Sequence, residues 1–463
     1  MITEMPSSPA RSRLSKVPIS LLGGLLGGVA GTAFVVAFTE ALKVMLAVVS
    51  RQATWVLIVA PLVGLALSVL VLYGLGLTSE TQAQAPARPR WLYRWRTFPP
   101  RVARSDITAD IVTYAGEEER LRWRLAPIRV LAIIATVGLG GPMGTEAPAA
   151  YLGMADGAAL ADRDWLRRLL RPAAVGGGAA GVAVLMGLPL VGTAYILEMG
   201  RRNDAPLSVE RVTAALVGGI VGWLVNIALG VDLIRLVVPK EPPHSLLQAG
   251  ITVLFIGLLS GSITAIAGVT IYRAKVWQAK PVVRLAIGGL ALACAAVIVA
   301  VIASPQAAVG PGGGSITWVE NAKPAALTVL AVALLRAVAT TAASAAGGCG
   351  GLFVPFLAVG DLGGRVFAAA LGVPADLAGS SGAASGIAGG YRLPFTAIAL
   401  VLSQGGPPLA TLTCLGTVAV AGFAGVGVER GLKRLFHRPL KEEGPHHHES
   451  AQAGALSGRA SAS

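Results

Sequence analysis

Two short stretches of the sequence share the spacing Gly-x-x-x-Pro, GTEAP at residues 144–148 and GLFVP at residues 351–355. Proline is favoured in the first turn of a helix, and a glycine just before it lets the backbone approach a ligand closely. Each stretch therefore predicts a helix start, whose first N–H groups lack intrahelical partners and carry about half a positive charge. Such a start can bind an anion. The backbone expected to form this site belongs to Gly144, Thr145, Ala147, Gly351 and Leu352.

Both stretches lie in a chain with the composition of a membrane protein. Hydrophobic residues make up 54% of it and charged residues 13%, whereas a soluble domain carries about 25% charged residues. A spanning helix needs about 20 mostly apolar residues. Uncharged segments near that length lie at residues 18–38, 53–77, 212–230, 246–271 and 285–302. The predicted fold class is therefore an all-α polytopic membrane protein embedded in a lipid bilayer.

Basic residues give the chain a formal net charge of +14, and they cluster before the first apolar segment (residues 11–16), between two others (88–104) and after the last (433–441). Positively charged flanks of this kind mark cytoplasmic loops. Both termini are therefore predicted to be cytoplasmic, on a multi-pass protein of the cell membrane. Nucleic-acid binding is rejected, because no folded basic face remains outside the membrane.

The two halves of the chain are related. Pro148 aligns with Pro355 at an offset of 207 residues (355 − 148), and Pro189 aligns with Pro394 at an offset of 205 (394 − 189), each within a longer similar stretch. Near-equal offsets in the same order indicate a transporter built from repeats. The predicted organisation is a cytoplasmic N-terminal segment (1–17), a first transmembrane repeat (18–237), an inter-repeat loop (238–245), a second transmembrane repeat (246–430) and a disordered cytoplasmic tail (431–463).

Glu146 lies at the centre of the first stretch. An intramembrane carboxylate is costly and is functional by default. Beside a helix start it uses the donors that an anion would use, so carboxylate and anion compete, and protonation couples anion passage to a proton. The alternatives are a carboxylate that only satisfies local N–H groups, and two Gly-Pro kinks that only let helices pack closely. Two symmetric copies, one with a central glutamate, favour the anion site.

The motifs resemble those of the CLC family of chloride channels and antiporters. GTEAP resembles the family's G-(K/R)-E-G-P motif, GGLFVP at residues 350–355 resembles its G-G-x-F-x-P motif, and YRLPFT at residues 391–396 resembles a recurring stretch. The resemblance implies two inverted repeats with broken, re-entrant helices, and a homodimer with one anion pathway per subunit. It also implies that Glu146 is the gating glutamate and that Phe353 lines the central anion site.

Glu198 is the second candidate, since it ends an apolar run just before Met199. In the family's exchangers a glutamate at the corresponding E-M position receives protons from the inside, whereas channels carry an apolar residue there. The alternative is an interfacial glutamate paired with Arg201 or Arg202, which would contribute little.

Two family features are altered. The motif G-S-G-I-P finds its best register at residues 105–108, where Ser105 can still offer a hydroxyl but Asp106 adds an unfavourable negative charge. The tyrosine expected near the end of the last helix is absent, and residues 427–431 read GVERG, with Arg430 closest in register.

The function predicted is transport of a small inorganic anion, chloride first, coupled to protons as an antiporter. The alternative on the same scaffold is a passive voltage- or pH-gated channel. An intramembrane enzyme using Glu146 and Asp156 as a carboxylate pair is a third interpretation, and a scaffold without transport is the fourth. No enzymatic activity, metal site or cofactor is predicted.

Overall fold

A computed structural model describes the chain, and every regular element within the described residues is helical. Eight of these helices are long and apolar enough to cross a membrane. Large apolar side chains such as Leu70, Val301 and Phe423 are exposed on their outer faces, as contact with lipid requires. The chain is therefore a multi-pass membrane protein. The described residues are 17–75, 107–108, 111–112, 123, 126–231, 234, 236–277 and 279–435.

The first half contains long spanning helices and shorter ones that cannot span. The helices Glu146–Ala161 and Pro189–Arg201 have 16 and 13 residues, fewer than the roughly 20 that a span needs. Two of the helices adjoin irregular turns, a π-helical one at Ile134–Gly138 and a 3₁₀ one at Asp164–Leu169. The helices are α1 Val17–Ser50, α2 Thr54–Leu75, α3 Ala126–Ile133, α4 Glu146–Ala161, α5 Leu170–Met186, α6 Pro189–Arg201 and α7 Val209–Leu229.

The second half repeats this alternation. Its short helices Phe353–Arg365 and Pro394–Gln404 have 13 and 11 residues, and a π-helical turn, Ile387–Tyr391, follows the helix that ends at Gly386. The last helix extends to Leu435, five residues beyond the predicted end of the repeat at 430. The helices are α8 Leu246–Val276, α9 Pro281–Ile302, α10 Pro305–Ala308, α11 Gly313–Ala322, α12 Ala326–Ala346, α13 Phe353–Arg365, α14 Ala368–Leu371, α15 Ala375–Gly386, α16 Pro394–Gln404 and α17 Pro408–Leu435.

Small residues let helices of each half approach closely. Gly177 on α5 faces the backbone of Gly153 on α4, and in the second half Gly382 on α15 faces that of Gly360 on α13. A Cβ at any of these four positions would meet the backbone of the facing helix. In a membrane, where apolar burial does not drive helix association, such close van der Waals packing stabilises the fold.

The halves meet at Gly144 and Gly351, the first residues of the two Gly-x-x-x-Pro stretches. Each N–H donates to the carbonyl of the other at 2.7 Å, forming an isolated antiparallel bridge. A Cβ at Gly351 would lie only 3.1 Å from the Ala147 nitrogen. This reciprocal pair brings the starts of α4 and α13 together inside the protein.

Candidate functional site

Helices α4 and α13 begin at Glu146 and Phe353, within the two Gly-x-x-x-Pro stretches. The residues just before them, Thr145 and Leu352, have nearly the same backbone conformation, with φ/ψ of −106°/−10° and −116°/−8°. Neither side chain caps its helix. The first N–H groups therefore depend on other partners, and the positive ends of two helix dipoles meet at this point.

The carboxylate of Glu146, which is fully buried, lies between the two helix starts. The Val354 N–H of α13 donates to one of its oxygens at 3.4 Å, and the Thr145 hydroxyl donates to the other at 3.5 Å. A Cβ at Gly351 would lie 3.2 Å from this carboxylate. Glu146 thus accepts from an N–H group that an anion at this helix start would also need. A carboxylate and an anion would therefore compete for this donor.

A cavity of about 280 Å³ reaches Thr145 and Val354, and the glycine-rich loop between α10 and α11 forms much of its wall. The guanidinium of Arg336 is buried behind this loop, where it donates to the carbonyl of Ala308 at 2.8 Å and to that of Gly310. Within the described part of the chain, no carboxylate pairs with Arg336. A buried cation with neutral partners makes the potential in the neighbouring cavity more positive, which favours anions.

Two buried tyrosines, which sequence reasoning left unassigned, lie against Phe353. Tyr195 on α6 and Tyr391 at the end of the π-helical turn place their hydroxyl oxygens 3.1 Å apart. The Phe353 ring packs edge to face with both, at centroid distances of 6.2 Å to Tyr195 and 6.3 Å to Tyr391. The Thr108 hydroxyl lies 3.5 Å from that of Tyr391. Two tyrosine rings therefore contact Phe353, one from α6 and one from the π-helical turn.

Signals for these tyrosines are present in the sequence. Tyr195 precedes Glu198 by three residues on the same helix, and Tyr391 opens the YRLPFT stretch. Neither position belongs to the motif in which the family's tyrosine is expected, and their proximity depends on a contact between the two halves.

Glu198, largely buried at 9% exposure, caps the start of α16. Its carboxylate accepts the N–H groups of Phe395 at 3.1 Å and Thr396 at 2.9 Å, and the Thr396 hydroxyl at 2.7 Å. Among the described residues, neither Arg201 nor Arg202 donates to it. The arginine pairing considered from the sequence is therefore replaced by a helix cap.

Arg202 instead binds the residues around Tyr391. Its guanidinium donates to the carbonyl of Tyr391 and, at 3.3 Å, to that of Arg392. It also lies over the Tyr391 ring, 5.5 Å from the centroid, a cation–π contact. These contacts hold the end of the π-helical turn against α6.

Of the two altered motifs, the structure describes only the second in full. Ser105 and Asp106 lie outside the described residues. The GVERG stretch at 427–431 is part of α17, where Glu429 pairs with Arg392 and, at 2.7 Å, with Lys433. The residues in register with the missing tyrosine thus belong to a continuous helix.

Most of the remaining intramembrane charges are paired. Arg365 donates to Asp361 at 2.7 Å and to Glu320 at 3.1 Å. Asp156 on α4 differs, because its Oδ2 atom is buried without a hydrogen-bond partner in the described part of the structure.

The sequence profile described as voltage gated chloride channel matches residues 90–425, most of the chain. The chain belongs to this family. The chain is also similar to curated bacterial proteins named H(+)/Cl(-) exchange transporter ClcA. That of Yersinia pestis bv. Antiqua (strain Angola) is 26% identical over 340 residues, which cover 67% of this chain and 68% of the relative. That of Citrobacter koseri is 25% identical over 450 residues, covering 89% and 87%.

Solved structures of two antiporters share the fold. A slow cyanobacterial Cl-/H+ antiporter superposes with a TM-score of 0.67 at 18% identity, covering 92% of this chain and 98% of that chain. A CLC-type fluoride/proton antiporter also has a TM-score of 0.67, at 20% identity, covering 90% and 96%. The predicted fold class, with inverted repeats and broken, re-entrant helices, is confirmed.

The Glu198 cap leads to a stability prediction. Thr396→Val removes the hydroxyl donor at 2.7 Å and should destabilise the protein by about 2 kcal/mol, as for other hydrogen bonds to charged groups. Thr396→Ser should restore most of this stability. The measurement is thermal unfolding in detergent.

The control is Ser403→Ala on the same helix, since the Ser403 hydroxyl is buried without a hydrogen-bond partner among the described residues. Its effect should stay within about 0.5 kcal/mol. Equal loss of stability in Thr396→Val and Ser403→Ala would mean that the bond to Glu198 contributes nothing measurable.

Proposed function

We propose that this chain exchanges a small inorganic anion, chloride first, for protons across the cell membrane. Membership of the voltage gated chloride channel family and similarity to relatives named H(+)/Cl(-) exchange transporters support this function. The observation that carries it is the position of Glu146. Its buried carboxylate accepts the Val354 N–H at the start of α13, so a bound anion and the ionised side chain exclude one another.

Competition of this kind couples the two fluxes. When Glu146 is ionised, its carboxylate occupies the donors at the helix starts and no anion passes. When it takes a proton, its charge is lost, an anion can occupy the donors, and the side chain carries the proton until the anion leaves. Arg336 behind the neighbouring cavity favours arrival of the anion. One residue therefore alternates between anion substitute and proton carrier.

Coupling across the membrane also needs a proton acceptor on the other side of the site. Glu198 is proposed for this role, because it is a largely buried carboxylate on α6, the helix that also contributes Tyr195 to the site. Its cap on α16 keeps it at a fixed position relative to the second half. Both termini are proposed to be cytoplasmic, with residues 18–237 and 246–430 as the two repeats.

A passive channel is the second candidate, and the same cap is compatible with it. Three donors at the start of α16 hold the Glu198 carboxylate, which suits a purely structural group as well as a proton acceptor. Simultaneous recording of chloride and pH in proteoliposomes separates the two functions. An antiporter drives protons against their gradient when a chloride gradient is imposed, and a channel does not.

We further propose that two copies of the chain form a homodimer with one pathway each, as the family resemblance implies. The mass of the detergent-solubilised protein, corrected for bound detergent, should be twice the 46.9 kDa of one chain. A mass of one chain across a range of concentrations would contradict this assembly.

Glu146→Gln tests the gate. The neutral side chain imitates the protonated state, so anion flux should persist and lose its dependence on pH, whereas wild-type flux should rise as the pH falls. Initial rates of chloride efflux from proteoliposomes at several pH values provide the measurement. Glu40→Gln, at an exposed position on α1, is the matched control and should keep the wild-type profile. If Glu146→Gln also keeps that profile, Glu146 is not the gate.

Glu198→Val and Glu198→Gln together separate proton transfer from helix capping. Both should abolish chloride-driven proton movement while chloride flux continues, because neither side chain titrates. Glu198→Gln keeps one acceptor oxygen and loses the other, whereas Glu198→Val loses both. Glu198→Val should therefore lose more stability than Glu198→Gln, by about 1 kcal/mol or more. If Glu198→Gln still pumps protons, the residue is only a cap.

A further inference from the structure

The hydroxyl pair formed by Tyr195 and Tyr391 has the features of a proton-conducting element. Both side chains are buried, and their oxygens lie 3.1 Å apart. Two phenol groups carry two exchangeable hydrogens, and their mutual bond uses one of them. The second hydrogen points elsewhere, and both oxygens keep lone pairs that can accept a proton. The pair is thus a donor and an acceptor at the same time.

The pair also has the required position. Tyr195 and Glu198 are three residues apart on α6, and residues at this spacing lie on one face of a helix. On the other side, the Tyr195 ring packs against Phe353. The N–H group of the next residue, Val354, donates to the Glu146 carboxylate. Tyr195 therefore lies between the two carboxylates of the proposed exchange, with Glu198 next to it along the helix and Glu146 at the helix start that it contacts.

We propose that the hydroxyls of Tyr195 and Tyr391 relay protons between Glu198 and Glu146. This inference rests on the proposed antiport function and deepens it. An excess proton binds to a lone pair of one hydroxyl oxygen while that oxygen releases its own hydrogen to the next acceptor. One O–H bond forms for each that breaks, and one proton moves on. Rotation of the hydroxyls then restores the starting arrangement, with water bridging the pair to the carboxylates.

The contacts around the pair favour a relay over a direct anion ligand. Each hydroxyl already has the other as partner, so an anion would have to break their hydrogen bond to bind both. The rings are held in place, since Phe353 packs against both phenols and Arg202 lies over Tyr391. Fixed rings with rotatable O–H groups suit repeated proton transfer, because only hydrogens move.

The test uses the full chain in proteoliposomes, with chloride and pH recorded together under an imposed chloride gradient. The variants are Tyr195→Phe and Tyr391→Phe, each of which keeps the ring and removes one oxygen. Each should lower the number of protons moved per chloride by about tenfold or more, because a bare charge crosses an apolar gap at high cost, while chloride flux continues. The double variant should resemble the singles, since both break one route.

Tyr151→Phe on α4 is the control, because this buried phenol belongs to another contact, with the Arg129 guanidinium 4.9 Å from its ring centroid. It should keep the wild-type ratio of protons to chloride. Each tested variant must elute as a single peak like the wild type, and one such variant with a reduced ratio is enough to support the relay.

Three results would overturn the relay. The first is a wild-type ratio in folded Tyr195→Phe and Tyr391→Phe. The second is an equal fall of chloride and proton flux, which indicates a structural role. The third is a changed chloride concentration for half-maximal flux at an unchanged ratio, which indicates an anion ligand. A wild type that moves no protons overturns the proposed function and the relay together, whereas coupling in the wild type and in both variants overturns the relay alone.

Discussion

A helix that begins inside a bilayer leaves N–H groups that water cannot reach, so protein or ligand must satisfy them. This chain contains two such helices, α4 and α13, and the reciprocal bond between Gly144 and Gly351 brings their starts together. The arrangement concentrates unpaired donors and two positive dipole ends at one point. The buried carboxylate of Glu146 is stable there for the same reason that an anion would be, and the rest of the site follows from this shared requirement.

The charged residues around the site also influence whether an anion binds at the two helix starts. Arg336 donates to carbonyls of a loop and to no carboxylate within the described residues, so its charge is not neutralised locally. By contrast, Arg365 is paired with Asp361 and Glu320 at the far end of α13. A cation paired in this way contributes little potential to the helix start, whereas an unpaired one near the cavity does. Burial and pairing together decide which charges act on the anion.

Motif spacing was sufficient to predict the starts of α4 and α13, because glycine and proline report local backbone geometry directly. The prolines Pro189 and Pro394 likewise open α6 and α16. The tyrosine pair was not predictable in this way, because Tyr195 and Tyr391 are 196 positions apart and meet only through packing of the two halves. For Glu198 the alternative considered from the sequence was an arginine partner three or four residues away, but its carboxylate accepts from the start of a helix in the other half.

The repeat has become asymmetric in a way that explains why both halves are needed. Glu146 and Phe353 occupy equivalent helix starts, and Glu198 aligns with Ser403 at the offset of 205 residues (403 − 198). Both carboxylates of the proposed exchange thus come from the first half, and each accepts N–H groups from a helix start in the second half, α13 for Glu146 and α16 for Glu198. The first repeat supplies the two acids, and the second supplies the helix starts that donate to them. A site in which a carboxylate and an anion compete for the same donors therefore needs both halves of the chain.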